Sequence, residues 1–208
     1  MTMRNRVTPM GDIVAIPQRG AWLGNRGILH RGTDIVRFHA SKLWITCALQ
    51  FRGWQLQQWH PHHFTVLFFY DEAVTLAAGH RPCALCRRPA YNEFRAALGE
   101  PDLHAADLDG RLHAERLYAG THRRRLHRLP WRELPDGAFV LLDEGPALVA
   151  GEALRPWSAD GYGGPLTRPT AGAASVVTPP LALAALRGGY PVQLALREPS
   201  GQRRPLAQ

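Results

Sequence analysis

Cys83-Ala84-Leu85-Cys86 places two thiols two residues apart, and arginines flank the pair at Arg81, Arg87 and Arg88. Two thiolates at that spacing on a turn can face one ion, and thiolate is the ligand that Zn²⁺ favours in structural sites. The third and last cysteine, Cys47, lies well upstream. An N-terminus without an apolar stretch after its arginines, and no apolar run near the roughly 20 residues that span a bilayer, lead to an expectation of a cytoplasmic protein with no membrane partner. In that compartment three cysteines read as ligands or free thiols rather than as a disulfide framework.

The elements that must position these thiols form two segments. Over residues 12–99, the runs Ile35-Val36-Arg37-Phe38, Leu43 to Phe51 and Phe64 to Tyr70 read as strands, and Gly24-Asn25-Arg26-Gly27 reads as a turn before His30. Asp71 caps a predicted helix from Glu72 to Ala78 that Gly79 ends, and a second helix is predicted over Ala90 to Leu98. Glu100-Pro101-Asp102 marks a boundary. Over 100–197 a helix from Leu108 to Tyr118 precedes a basic stretch, then a hairpin joins Ala138-Phe139-Val140-Leu141-Leu142 to Ala147-Leu148-Val149. Further strands are predicted at Leu154 to Trp157 and Ala174 to Thr178, a helix from Thr178-Pro179-Pro180 to Arg187, and a last strand at Val192 to Leu196. The expected class is α+β, a zinc module followed by a small β-rich region.

The segment Phe68 to Arg88, FFYDEAVTLAAGHRPCALCRR, resembles the closing half of the metal-binding domain of the Ada DNA-repair protein family. A strand ending in two Phe leads there into a helix ending Ala-Ala-Gly, then an aromatic, then Arg-Pro-Cys-x-x-Cys-Arg. Ile45-Thr46-Cys47 is similar to the Ile-x-Cys that carries the family's first cysteine, which is a zinc ligand and the methyl acceptor from DNA phosphotriesters. The likeness covers about residues 43–90. It implies zinc on Cys47, Cys83 and Cys86, a DNA partner and a role in DNA repair or modification.

The chain departs from that pattern in two places. Phe51 stands where the family's second cysteine belongs, and the link between Cys47 and Phe68 is longer, carrying Trp54, Trp59 and His60-Pro61-His62-His63. A tetrahedral site then needs another fourth ligand or an open position. His30 is favoured, because one histidine after a constrained turn is easier to aim than a flexible cluster; His60, His62, His63 and His80 are the alternatives. Exchanging a thiolate for histidine lowers the negative charge of the site and weakens the nucleophile, so alkyl transfer is not expected.

The net charge of +8 is nearly all arginine, with Lys42 the only lysine. A GC-rich composition explains the choice of arginine, not the excess of base over acid, which points to a phosphate-bearing partner. Arg81, Arg87 and Arg88 beside the knuckle and Arg123, Arg124 and Arg125 downstream are the candidates for contacting a nucleic-acid backbone, DNA before RNA; a solvated basic loop is the competing reading of the downstream run. The alternative function is a zinc enzyme acting on nucleic acid or nucleotides. His113 and Glu115 as acid/base groups and Asp160 in Trp157-Ser158-Ala159-Asp160-Gly161-Tyr162 as a substrate group are its candidates. His113-Ala114-Glu115 with Pro82-Cys83-x-x-Cys86 is similar to the ligand motifs of zinc deaminases, but the order is reversed and Cys47 is left without a role. Trp157 and Tyr162 read more simply as core aromatics on a β-turn.

Overall fold

A computed structural model describes residues 2–196 and shows an α+β architecture. In chain order its strands are β1 (Arg6–Val7), β2 (Ile13–Val14), β3 (Trp22–Asn25), β4 (His30–Arg31), β5 (Asp34–Ile35), β6 (Ile45–Cys47), β7 (Leu67–Phe69), β8 (Arg81–Pro82), β9 (His127–Pro130), β10 (Phe139–Leu142), β11 (Gly145–Ala150), β12 (Ala153–Ser158), β13 (Gly161–Tyr162), β14 (Leu166–Thr167) and β15 (Ala173–Val176). The helices are α1 (Glu72–Ala77), α2 (Arg88–Ala97), α3 (Ala105–Arg116) and α4 (Pro180–Arg187).

The first sheet runs β2-β1-β7-β3-β6-β8, and its β1/β7 and β6/β8 pairs are parallel. The second runs β13-β12-β11-β10-β15-β9, with β14 on β12, and is antiparallel throughout. Strand alternation gives this second sheet two buried faces. Phe139 and Leu148 join Val7, Leu67, Phe69 and Val74 in one core, while Val140, Ala147 and Val149 face a second with Trp131 and Leu183. Leu76, Tyr91, Phe94, Leu108, Leu112, Leu181 and Leu186 make a third core, where α2, α3 and α4 meet the end of α1. The turn at Glu100-Pro101-Asp102 separates α2 from α3, and hydrophobic cores pass across it.

Every residue of α1 is buried, and Asp71 caps it by accepting the Val74 N–H at 3.0 Å. At its other end Gly79 takes φ +85°, and a Cβ there would lie 2.6 Å from Arg116 Cδ. The expected turn at Gly24 is instead part of β3. A Cβ at Gly24 would meet Phe69 Cε2 at 2.2 Å, so glycine serves close packing here and the positive φ falls on Gly27. The predicted run from Ile35 to Phe38 is a strand only at β5. The expected strand at Val192 to Leu196 is not formed; that stretch lies as a strap over the start of α1. The chain beyond Leu196 lies outside the described residues.

Candidate metal centre

Cys47 ends β6, and the register of β6 with β8 decides what it meets. Ile45 pairs with Arg81 and Thr46 with Pro82, so the next step brings Cys83 beside Cys47; the Cys83 N–H donates to Thr46 O at 2.9 Å. The chain then turns: the Leu85 N–H donates to Cys83 Sγ at 3.4 Å and the Arg87 N–H to Cys83 O at 3.1 Å, which returns Cys86 to the group. The ligand atoms of Cys47, Cys83 and Cys86 all lie within 4.8 Å of one another, and no histidine, aspartate or glutamate among the described residues joins them at that distance. Three cysteines this close could hold a metal ion. Cys83 is buried and the other two are half-buried.

The protonation of the cluster fits that role. Hydrogen bonds from Cys47 and Cys86 draw the Cys83 thiol down, while its bond with Cys83 pushes the Cys47 thiol far up. A thiolate at Cys83 beside two thiols that keep their protons leaves one negative charge to attract a cation, and binding of the ion displaces the remaining protons.

The fourth-ligand candidates lie elsewhere. β3 runs antiparallel to β6 with Leu23 opposite Cys47 and Asn25 opposite Ile45, so His30 lies past the end of β3 remote from the thiol. His30 sits on β4, its Nδ1 2.6 Å from Thr65 Oγ1 and its ring edge-on to Trp59. His80 turns inward: its Nε2 accepts from Arg26 Nε at 3.2 Å, and its ring packs on Trp44 and Phe69. His60 stacks on His63 at 3.9 Å, and His62 is exposed. Phe51 packs edge-on to Trp54 in the loop after Cys47.

The arginines divide. Arg81 makes a two-pronged pair with Asp109 at 2.8 Å for each bond, and Arg87 pairs with Glu72 at 2.5 Å over the face of Trp22; all four charged groups are buried. Both guanidiniums are buried in the structure, with Arg87 Nη1 left without a partner, where the sequence offers them as phosphate contacts. Arg124 donates to Ala77 O and Val177 O, at the end of α1. Arg125 is half-buried and bonds Ala114 O, whereas Arg88 and Arg123 are exposed.

The candidate catalytic groups are also dispersed. Glu115 accepts the Leu181 N–H at 2.8 Å, capping the start of α4. His113 lies 3.0 Å from Arg116 Nη2 and edge-on to His39; burial and then Arg116 pull its pKa down to about 4. Asp160 is exposed at the β12–β13 turn, while Trp157 and Tyr162 pack on the core and the Tyr162 hydroxyl donates to Asp71 at 2.8 Å.

Two groupings had no motif to announce them. Trp44 is fully buried between the Arg26 guanidinium, 4.0 Å from its ring, and that of Arg116, 3.9 Å away. Arg116 also donates to Gly79 O at 2.7 Å, so cations gather at the carbonyl end of α1, which leads into the knuckle. The second is a cleft of about 500 Å³ walled by Gln18, Trp22, Leu49, Tyr70, Asp160 and Leu194. Neither family models, nor characterised proteins, nor solved structures gave any match to this chain.

Proposed function

We propose that the chain is a zinc protein that binds nucleic acid, DNA in preference to RNA, with Cys47, Cys83 and Cys86 holding the ion and exposed arginines meeting phosphates. The observation that carries the metal half is the convergence of all three cysteines, from a strand and a knuckle far apart in sequence, to within 4.8 Å. A site of soft thiolates suits zinc, and three protein ligands leave a fourth position for water or another molecule. The nucleic-acid half rests on the net charge of +8 and on Arg88 and Arg123, which stay exposed when Arg81 and Arg87 are spent on buried pairs. The likeness of Phe68 to Arg88 to the Ada metal domain supports both halves.

Three thiolates with one position left open also favour the second reading, a zinc enzyme acting on nucleic acid or nucleotides. In that reading the zinc, when bound, supplies a Lewis acid at the open position.

The first test is the metal content of the purified protein, with thiol titration before and after chelation. One zinc per chain and three thiols shielded until chelation are expected; metal-free protein with a freely reacting Cys47 would overturn the reading. Binding to a DNA duplex should weaken steeply with salt, and Arg123→Ala and Arg88→Ala should each flatten the log–log salt slope by about 0.9. A slope that neither variant changes removes those arginines from the interface.

A further inference from the structure

We propose that the cleft between Trp22, Tyr70 and the strap at Gln193–Leu196 is a pocket for a single nucleobase, presented either by an unpaired position in a strand or by a free nucleoside. The inference rests on the nucleic-acid reading of the metal centre and deepens it.

Three observations point to this occupant. The first is size and lining. A cleft of about 500 Å³ falls within the roughly 300–1,000 Å³ usual for small-molecule sites. Its walls pair two aromatic rings, Trp22 and Tyr70, with the amides of Gln18 and Gln193 and the exposed carboxylate of Asp160. Aromatic rings hold the flat face of any base, and amide and carboxylate groups match the donors and acceptors along its edge.

The second is a stranded donor. Trp22 Nε1 is buried with no hydrogen-bond partner among the described residues. An unmet buried donor gives the Trp22 side chain something to gain by turning its edge toward an acceptor in the cleft, and a ring nitrogen or carbonyl oxygen of a base would be one. One face of the ring is covered by the Arg87 guanidinium at 3.8 Å, itself paired with Glu72, which also accepts from the Tyr190 hydroxyl at 2.6 Å.

The third is position. Leu23, next to Trp22, is the sheet partner of Cys47, and Leu49 on the cleft wall follows Cys47 by two residues. The pocket and the thiol centre therefore share one stretch of β3, β6 and the following loop. Arg19, exposed on the same wall, suits the phosphate or sugar that a base carries with it.

The experiment uses the full chain as purified with its metal. Adenosine, guanosine, cytidine and thymidine are titrated by calorimetry, and a short single strand with one central 2-aminopurine is titrated by fluorescence alongside the matching duplex. Ala159→Trp fills the cleft from the β12–β13 turn, and its fold is checked by metal content and thiol shielding. Saturable nucleoside binding, quenching of 2-aminopurine in the single strand, and a loss of at least tenfold in both for A159W are expected. Strand binding that depends on salt, without nucleoside binding or quenching, would overturn the pocket and leave the nucleic-acid reading standing. Nucleoside binding sensitive to A159W, with no strand or duplex bound, would keep the pocket for free nucleosides and overturn the nucleic-acid reading. Equal binding by A159W and the parent would place the base elsewhere and overturn the pocket.

Discussion

Asp109→Ala strands a guanidinium that cannot reach water. Arg81 is 2% exposed and gives both its Nε and its Nη2 hydrogens to the Asp109 carboxylate, while Nη1 holds Pro82 O at 2.9 Å. Removing one partner of a buried pair costs about 3–5 kcal/mol, because the other charge stays desolvated with its donors unmet. With a urea slope of about 3 kcal/mol per molar for a chain of this size, the midpoint should fall by more than about 1 M. Arg81→Met with Asp109→Leu removes both charges and should recover most of the loss, since apolar replacement of a whole buried pair is close to neutral. Urea unfolding of the parent, D109A and the double variant, each with metal and after chelation, makes the comparison. The deficit of D109A should persist in the chelated protein, because the pair braces β8 against α3 and touches no thiol. A loss below about 1 kcal/mol for D109A, or a double variant no better than the single, would refute this reasoning. A deficit seen only with metal bound would mean that the pair acts on the centre instead of the fold.

Cys83→Ser removes the most buried of the three thiols and should drop metal content from one per chain to near zero, measured by elemental analysis after dialysis. Burial pushes the Asp71 carboxyl up to about 6. The folded chain therefore keeps a proton that the unfolded chain has lost between pH about 4 and 6, and stability should fall by about 3 kcal/mol as pH rises through that window. Asp71→Asn retains an acceptor for the Val74 N–H and should abolish this component in pH-dependent urea curves; an unchanged pH profile would show that Asp71 is not its source. His80 has the opposite sign, because burial first and Arg26 next hold it neutral when folded. The unfolded chain gains the proton as pH drops below about 6.5, so stability should fall by up to about 1.4 kcal/mol per pH unit. His80→Gln, whose side-chain oxygen can still accept from Arg26, should flatten that slope, and an unaltered slope would assign it to another histidine.

What was readable in the sequence followed local rules. The cap at Asp71, the stop at Gly79, the opening of α4 at Pro180 and the hairpin of β10 and β11 each depend on neighbours within a few residues. The convergence of the cysteines was legible through the spacing of the knuckle and the likeness around it. The roles of Arg81 and Arg87 were not, because nothing in a basic run tells that Asp109 and Glu72 will fold beneath it. The position of His30, apart from the three thiols and against Thr65, was hidden for a related reason. Gly24 looks like a turn, but it is a contact point for the ring of Phe69, and the strand continues through it. Pairing across a sheet, which decides the neighbours of Cys47, is set by residues far apart in the chain.

The strap that closes over α1 has a bearing on how the molecule is made. Asp71 and Glu72 are buried, and they receive the Ala195 N–H at 3.0 Å, the Gln193 N–H at 3.1 Å and the Tyr190 hydroxyl. Until those residues have been made, two carboxylates at the head of the central helix lack donors from the strap. The first half of the fold therefore completes the packing of its central helix only after residues 190–195 have been made, long after the three thiols have been added to the chain.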